Sequence, residues 1–240
     1  MKEKISKRTK MLDFINLFIH PKTPFSEIFA VLLKAMGETI YMVGASCAIA
    51  VIFGLPLGIL LCITKRGNLT PYPALNFLIG GIVNIIRSFP FIILIIVLLP
   101  LSRLIVGTSI GVNAAIIPLS IAAIPFIARL FEGAFDEVDK GLIEASIALG
   151  ADNLTIIKIM IAESLPSLIN AITITIIGVI GYSAMAGAVG AGGIGDLAMR
   201  IGYYSYRPDI LAYCVVAIII LVQVVQSIGD RVVKYLRRNR

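Results

Sequence analysis

Long stretches without a charged residue dominate this chain and restrict its fold more than any motif does. Of its 240 residues, 58% are hydrophobic and only 15% are charged, too few charges for the surface of a soluble domain of this length. Apolar runs of about 20 residues can cross a bilayer as helices. Because lipid offers no hydrogen-bond partners, the backbone of such a run must satisfy its own polar groups. We therefore predict an all-α polytopic membrane protein.

Five runs are long and apolar enough to be transmembrane helices. They cover about residues 39–64, 77–101, 112–134, 167–189 and 210–228. Prolines inside these runs include those at positions 56, 90, 118 and 125. They predict kinked helices that pack against neighbours. Small residues spaced four apart, such as Gly54 and Gly58, favour close helix packing in membranes, so we assign this pair a packing role.

Basic segments determine the predicted orientation. With five spans, Lys65, Arg66 and the basic C-terminal tail (234–240) lie on one side, and the positive-inside rule makes that side cytoplasmic. The basic N-terminal tail (1–34) then lies outside, against the same rule. Its apolar run of nine residues is too short for a span, so we expect an interfacial helix there and no signal peptide. Residues 35–233 form the predicted transmembrane domain.

The longest polar connection, residues 136–163, follows the third run. Its pattern predicts two short helices, the second over about residues 154–162, with Gly150 ending the first. The apolar residues of the first helix are expected on one side: Leu142, Ile143, Ile147 and Leu149. We predict a docking element on the cytoplasmic face, although an ordinary loop has the same composition.

No motif in the sequence supplies chemistry of its own. The fourth and fifth runs contain no ionisable residue and the second only Arg87, which gives little support to ion-coupled transport. The chain lacks a phosphate-binding loop, a metal-ligand cluster and a nucleophile beside a base, so we expect no cofactor or metal in it. The energy for uphill transport must then come from a partner docked at the polar connection. An ion-coupled carrier or channel acting alone is the alternative class.

Residues 144–150, Glu-Ala-Ser-Ile-Ala-Leu-Gly, resemble the E-A-A-x-x-x-G motif of ABC-importer permease subunits. In that family this loop is the coupling helix that sits in a groove of the ATPase. The resemblance implies ATPase-coupling roles for five residues: Glu144, Ala145, Ser146, Gly150 and Ala151. The family's motif continues nine residues later with I-x-L-P, whereas here the first proline is Pro166. The exit of the second short helix therefore departs from the family pattern.

Two further stretches narrow the resemblance. "NIIRSFPFIILIIVLLP" (84–100) is similar to the R-S-x-P-F segment of amino-acid-type permeases, and "GYSAMAGAVGAGGIGDLAMRIGYYSY" (181–206) is similar to permease subunits of methionine ABC importers. The resemblance covers residues 35–233 and implies the type I importer permease fold with five helices, working by alternating access. It also implies a complex with a second copy of the chain, two ABC ATPase subunits that bind ATP and magnesium, and an external methionine-binding lipoprotein. Another amino acid or small solute stays open as substrate, and we expect no nucleic-acid partner.

The glycine-rich stretch 181–196 has two interpretations. Its Gly-Ala-Gly-Gly-Ile-Gly portion has dinucleotide-loop spacing, but an uncharged run precedes it where that loop needs a strand. We interpret its glycines as packing and turn residues: Gly190, Gly192, Gly193 and Gly195. The resemblance places this helix beside the translocation pathway. Candidate pathway residues are Tyr182, Ser183 and Met185, together with Arg87, for which snorkelling to the interface is equally open.

Overall fold

The computed structural model describes residues 25–238, and in that part of the chain it contains helices and no strand. The helices are α1 (Phe25–Ile63), α2 (Pro73–Ser88), α3 (Phe91–Val106), α4 (Val112–Asp136), α5 (Lys140–Ala148), α6 (Asn153–Gly187), α7 (Gly193–Leu197), the π-helical turn Ala198–Tyr203 and α8 (Pro208–Arg238). Helices α1, α4, α6 and α8 are each long and apolar enough to cross a membrane. The bent pair α2 and α3 supplies a fifth span when counted together. The predicted all-α polytopic fold is confirmed.

The first span is longer than predicted. Helix α1 is continuous from Phe25, so it includes the last residues of the predicted N-terminal tail. The predicted interfacial helix falls on residues 1–24, which lie outside the described part of the chain.

Helices α1 and α4 form the centre of the bundle, and glycine allows them to approach closely. A Cβ atom on Gly58 would lie 2.8 Å from the Cβ of Phe131 and 2.9 Å from the carbonyl oxygen of Ala128. A Cβ atom on Gly54 would lie 3.3 Å from the carbonyl oxygen of Ile124. Carbon atoms pack best at about 3.5–4.0 Å, so a larger residue at Gly58 would separate the two helices.

The second predicted span is not one helix, which corrects the expectation of a continuous run over residues 77–101. Helix α2 ends at Ser88, α3 begins at Phe91, and their axes differ by 105°. Pro90 explains the break because a proline disfavours the helical conformation of the residue before it. Phe89 accordingly has the extended angles φ −70° and ψ 129°.

The second short helix predicted at residues 154–162 does not exist as a separate element. Helix α6 runs from Asn153 to Gly187 without interruption and contains Pro166. Ile156 and Met160 in its first turns are buried in the same core as Leu168 and Val179 further along. Pro166 has no backbone N–H to donate within α6. The helix nevertheless continues, because packing of both halves against one core stabilises it more than the missing hydrogen bond destabilises it.

The bundle has two ends, which we call the loop end (residues 137–152) and the glycine end (residues 188–207). Helix α1 begins near the glycine end and finishes at the loop end, where Lys65 pairs with Asp136. Helix α8 also begins near the glycine end, where Ile210 joins a small apolar cluster with Ile194. It then runs antiparallel to α6 towards the loop end. The two described ends of the chain therefore lie at opposite ends of the bundle.

Candidate functional site

Local hydrogen bonds define the short helix α5 at the loop end. The Asp139 carboxylate caps its first turn by accepting from the backbone N–H of Gly141 at 2.6 Å. At the other end the N–H of Gly150 donates to the carbonyl of Ile147 at 2.9 Å, and the N–H of Ala151 donates to that of Ser146 at 3.0 Å. Gly150 has φ 84°, the left-handed conformation that glycine adopts without strain. The chain therefore turns sharply from α5 into α6.

The apolar residues at and just after α5, which the sequence places on one side, differ in how far they are buried. Ile143 packs towards the bundle core, and the buried Ser146 donates its hydroxyl to the carbonyl of Leu142 at 2.7 Å. Ile147 and Leu149, the residue that follows α5, are 52% and 88% exposed. The helix therefore seats one face on the bundle and leaves large apolar side chains uncovered at the loop end.

A cavity of about 240 Å³ lies between α5 and the end of α1. It is lined by both apolar and polar side chains, among them Cys62, Asn68, Phe135, Asp136, Glu144 and Met160. Glu144 is exposed and borders this cavity, whereas Ala145 and Gly150 lie on the outer surface of the loop. Ala151 is half-buried at the start of the turn into α6.

A cluster of charges that the sequence did not predict lies beside this cavity. Lys65 Nζ lies 2.8 Å from Glu132 Oε1 and 2.5 Å from Asp136 Oδ2, and Arg129 Nη1 lies 2.6 Å from Glu132 Oε2. Partial burial opposes the charged form of Lys65, but its hydrogen bonds to the two carboxylates outweigh burial and raise its pKa. The sequence does contain a sign of this cluster: Arg129 and Glu132 both fall inside the third apolar run. Ionisable residues within membrane spans commonly mark functional positions.

Hydrogen bonds to neighbouring elements hold the glycine-rich segment at the other end of the bundle. Glu38 Oε2 on α1 accepts from the backbone N–H of Gly193 at 2.9 Å, and the next residue, Thr39, accepts through Oγ1 from the N–H of Ile194 at 2.9 Å. The N–H of Gly111, just before α4, donates to the carbonyl of Gly190 at 2.9 Å. The segment is thus fastened to both central helices.

The glycines of this segment fall into two groups. Gly190, Gly192 and Gly193 have φ of 87°, 82° and 76°, values that side chains disfavour, so they allow the chain to reverse. Gly195 instead lies where α7 meets α6. A Cβ atom added to it would be 2.6 Å from the Cα of Ala184.

The candidate pathway residues occupy different environments. The Tyr182 ring stacks on Phe91 at the start of α3, with centroids 4.6 Å apart and planes inclined by 14°. Ser183 is buried and donates its hydroxyl to the carbonyl of Ile180 at 2.7 Å, within its own helix. Met185 is 49% exposed, and Arg87 is exposed in the last turn of α2 beside the break.

The structure separates the predicted site residues into two sets. The coupling residues of α5 are at the loop end, whereas the pathway residues of α6 and the glycine turn are at or near the glycine end. Residues from Glu144 to Ala151 therefore do not contact the pathway candidates directly. Any influence of one set on the other must pass through the bundle helices.

These observations define the class of the protein: a polytopic membrane transport subunit with a short surface helix between its third and fourth long apolar segments. Residues 50–240 match the family described as "Binding-protein-dependent transport system inner membrane component". The chain belongs to this family. It is a multi-pass membrane permease subunit with the type I ABC-importer permease fold, and not an enzyme.

Similar proteins support this assignment. The "Probable D-methionine transport system permease protein MetI" of Vibrio cholerae is 48% identical over 204 residues, which are 85% of this chain and 91% of that protein. The "Methionine import system permease protein MetP" of Bacillus subtilis is 47% identical over 200 residues, or 83% of this chain and 90% of that protein.

Solved structures agree with the fold. A chain from the inward-facing MetNI methionine ABC transporter matches with a TM-score of 0.86 and 44% identity, covering 88% of this chain and 98% of that chain. A chain of an amino acid ABC transporter with histidines gives a TM-score of 0.69 at 16% identity, covering 89% of this chain and 96% of that chain. The second likeness shows the fold alone.

Proposed function

We propose that this chain is the permease subunit of an ATP-driven importer that carries methionine into the cell. The observation that carries the proposal is its similarity to methionine transport permeases over nearly their whole length, at 48% identity for the Vibrio cholerae protein. The likeness to a chain of a methionine ABC transporter, at 44% identity and a TM-score of 0.86, supports the same substrate.

The proposed coupling element is α5 with its flanking turns, residues 136–163. Exposed apolar side chains are costly in water, so Ile147 and Leu149 favour a protein partner at this surface. We propose that the partner is an ABC ATPase, two copies of which bind ATP and magnesium and move α5 as they close. Gly150 supports this role because its left-handed conformation fixes the angle between α5 and α6.

We propose that the loop end is cytoplasmic. Lys65, Arg66 and the basic end of α8, including Arg237 and Arg238, all lie towards this end, as the positive-inside rule requires. The C-terminus is then cytoplasmic and the glycine end faces outward, where an external methionine-binding lipoprotein would deliver substrate.

Alternating access in this proposal uses a second copy of the chain, with the pathway between the copies. Met185 offers a flexible thioether to an apolar side chain, and the stacked Tyr182 offers a rigid wall. Ser183 already donates its hydroxyl within α6, so it is the weaker candidate. The glycine contacts let α6 and α7 pack closely enough to form a closed outer end.

Uptake of labelled methionine tests the proposal in cells that lack their own methionine importers and express this chain with its ATPase and binding protein. Gly150→Pro is the informative variant, because proline cannot adopt φ 84° and removes the N–H that bonds Ile147. Gly150→Asn is the matched control, since asparagine tolerates the left-handed region.

We expect uptake that needs the ATPase, collapses in Gly150→Pro and largely survives in Gly150→Asn. An assembled complex that hydrolyses ATP but imports no methionine would shift the substrate to another solute. Uptake that continues without the ATPase would refute the importer mechanism itself.

A further inference from the structure

The charge cluster at the loop end connects three separate parts of the chain. Glu132 is buried, with 7% of its side chain exposed, and it accepts from Lys65 at the end of α1 and from Arg129 on its own helix α4. Lys65 also holds Asp136, the last residue of α4 before the docking loop. A buried carboxylate is costly unless it is paired, so the two cations and Glu132 are held together as a unit.

Arg129 extends this unit to the first half of the broken span. Its Nη2 donates to the carbonyl of Gly80 and to Oδ1 of Asn84, both at 3.1 Å, on α2. The absence of a side chain at Gly80 makes room for the guanidinium, because a Cβ atom there would lie 3.1 Å from Nη2. Within α2 only Gly80 and Val83 are buried, so the helix has little apolar contact with the bundle. Arg129 therefore attaches the middle of α2 to the bundle, while Asn76 attaches its first turn by donating to the carbonyl of Leu61 at 2.7 Å.

The Arg129 guanidinium does not use all of its hydrogen-bond donors in this arrangement. Arg129 Nε is buried and has no hydrogen-bond partner among the described residues. The far end of α2 leads through the break at Ser88–Pro90 to Phe91, whose ring stacks on Tyr182 of α6. A displacement of α2 would therefore move Phe91, which packs against the candidate pathway residue Tyr182.

We infer that Arg129 and Glu132 are positioning residues that couple movement of the docking loop to the broken second span, and so to Tyr182. The inference rests on the proposed function, because it needs a partner ATPase to move the loop. In this account α5 pulls on Asp136 and α4, the ion pairs carry the displacement to Arg129, and the guanidinium carries it to α2. The angle between α2 and α3 then changes with the nucleotide state.

The test uses the whole transporter, reconstituted in lipid vesicles with its ATPase and binding protein. Arg129→Lys keeps the charge that pairs with Glu132 but loses the planar fork that reaches Gly80 and Asn84. Asn84→Ala removes one acceptor at an exposed position, where substitutions usually change stability little. Arg103→Lys, at an exposed arginine of α3, is the matched control. Methionine uptake and ATP hydrolysis are measured together on the same vesicles.

We expect Arg129→Lys to lower methionine imported per ATP hydrolysed about tenfold, within the usual range of coupling between sites. Asn84→Ala should lower the ratio less and add little in the double variant, because both changes break the same link. Arg103→Lys should leave the ratio unchanged. A purely structural role would reduce assembled complex, uptake and hydrolysis in parallel, with the ratio constant, and that outcome overturns the inference.

A second readout does not depend on the substrate. Spin labels at Leu78 on α2 and Leu104 on α3, which are 60% and 82% exposed, report the angle at the break. We expect ATP to change the distance between the labels in the otherwise unaltered transporter and not in Arg129→Lys. Equal changes in both would overturn the inference even if methionine proved to be the wrong substrate. Failure of the chain to bind any ABC ATPase would refute the proposed function and this inference with it.

Discussion

Replacing Gly195 by alanine tests whether this position requires glycine for close packing of α7 against α6. The added methyl would lie 2.6 Å from the Cα and 2.8 Å from the carbonyl carbon of Ala184, about 1 Å inside the normal contact distance. Both obstructing atoms belong to the backbone of α6, so no side-chain rotation can relieve the overlap. Overpacking costs about 1–3 kcal/mol where neighbours can yield, and we expect about 3 kcal/mol here.

Gly181→Ala is the matched control, because it adds the same methyl group at a glycine with open space around it. Gly181 lies in α6, and a Cβ atom added to it meets nothing within 4 Å. Alanine is favoured over glycine inside a helix by about 1 kcal/mol, so this variant should be slightly more stable than the natural chain. The two variants should therefore differ by about 4 kcal/mol in free energy of unfolding.

The cysteines of the chain provide the assay. Cys47, Cys62 and Cys214 are all buried, so a thiol-reactive fluorogenic dye labels them only as the detergent-solubilised protein unfolds. At roughly 2–4 °C per kcal/mol for a chain of this size, Gly195→Ala should lower Tm by about 6–12 °C. Gly181→Ala should raise Tm by about 2–4 °C. Equal Tm values for the two variants would refute the packing explanation for this stretch.

Three further changes test the loop end and the stacked pair. Asp139→Ala should cost about 1 kcal/mol at the start of α5 and weaken retention of the ATPase on an affinity column, whereas Asp139→Ser should restore it. Phe91→Ala should raise KM for methionine uptake roughly threefold to tenfold by removing the stack on Tyr182, while Phe91→Tyr should not. Glu132→Ala should lower stability by about 3 kcal/mol in the dye assay because it leaves two cations without their shared partner. An equal loss in Asp230→Asn, an exposed position on α8, would contradict that explanation.

The class of fold and the position of the polar connection between the third and fourth spans follow from the residue pattern alone. Apolar runs of span length leave only helices as a solution in lipid, so the pattern alone was sufficient. The turn at Gly150 was also predictable, because a glycine after a short amphipathic segment is a standard helix end. The dinucleotide-like spacing at 190–195 follows the helix α6, whereas a dinucleotide-binding loop needs a strand before it.

Whether a helix continues or breaks at a proline depends on how the bundle packs. Helix α6 continues through Pro166, which is buried, whereas the second span bends at Pro90, which is exposed. Residues on both sides of Pro166 share one buried core, whereas α2 has only two buried residues to hold it in line with α3. The cluster of Lys65, Glu132 and Arg129 likewise joins residues far apart in sequence. Such contacts depend on which helices become neighbours, and a periodic pattern along one chain carries no information about that choice.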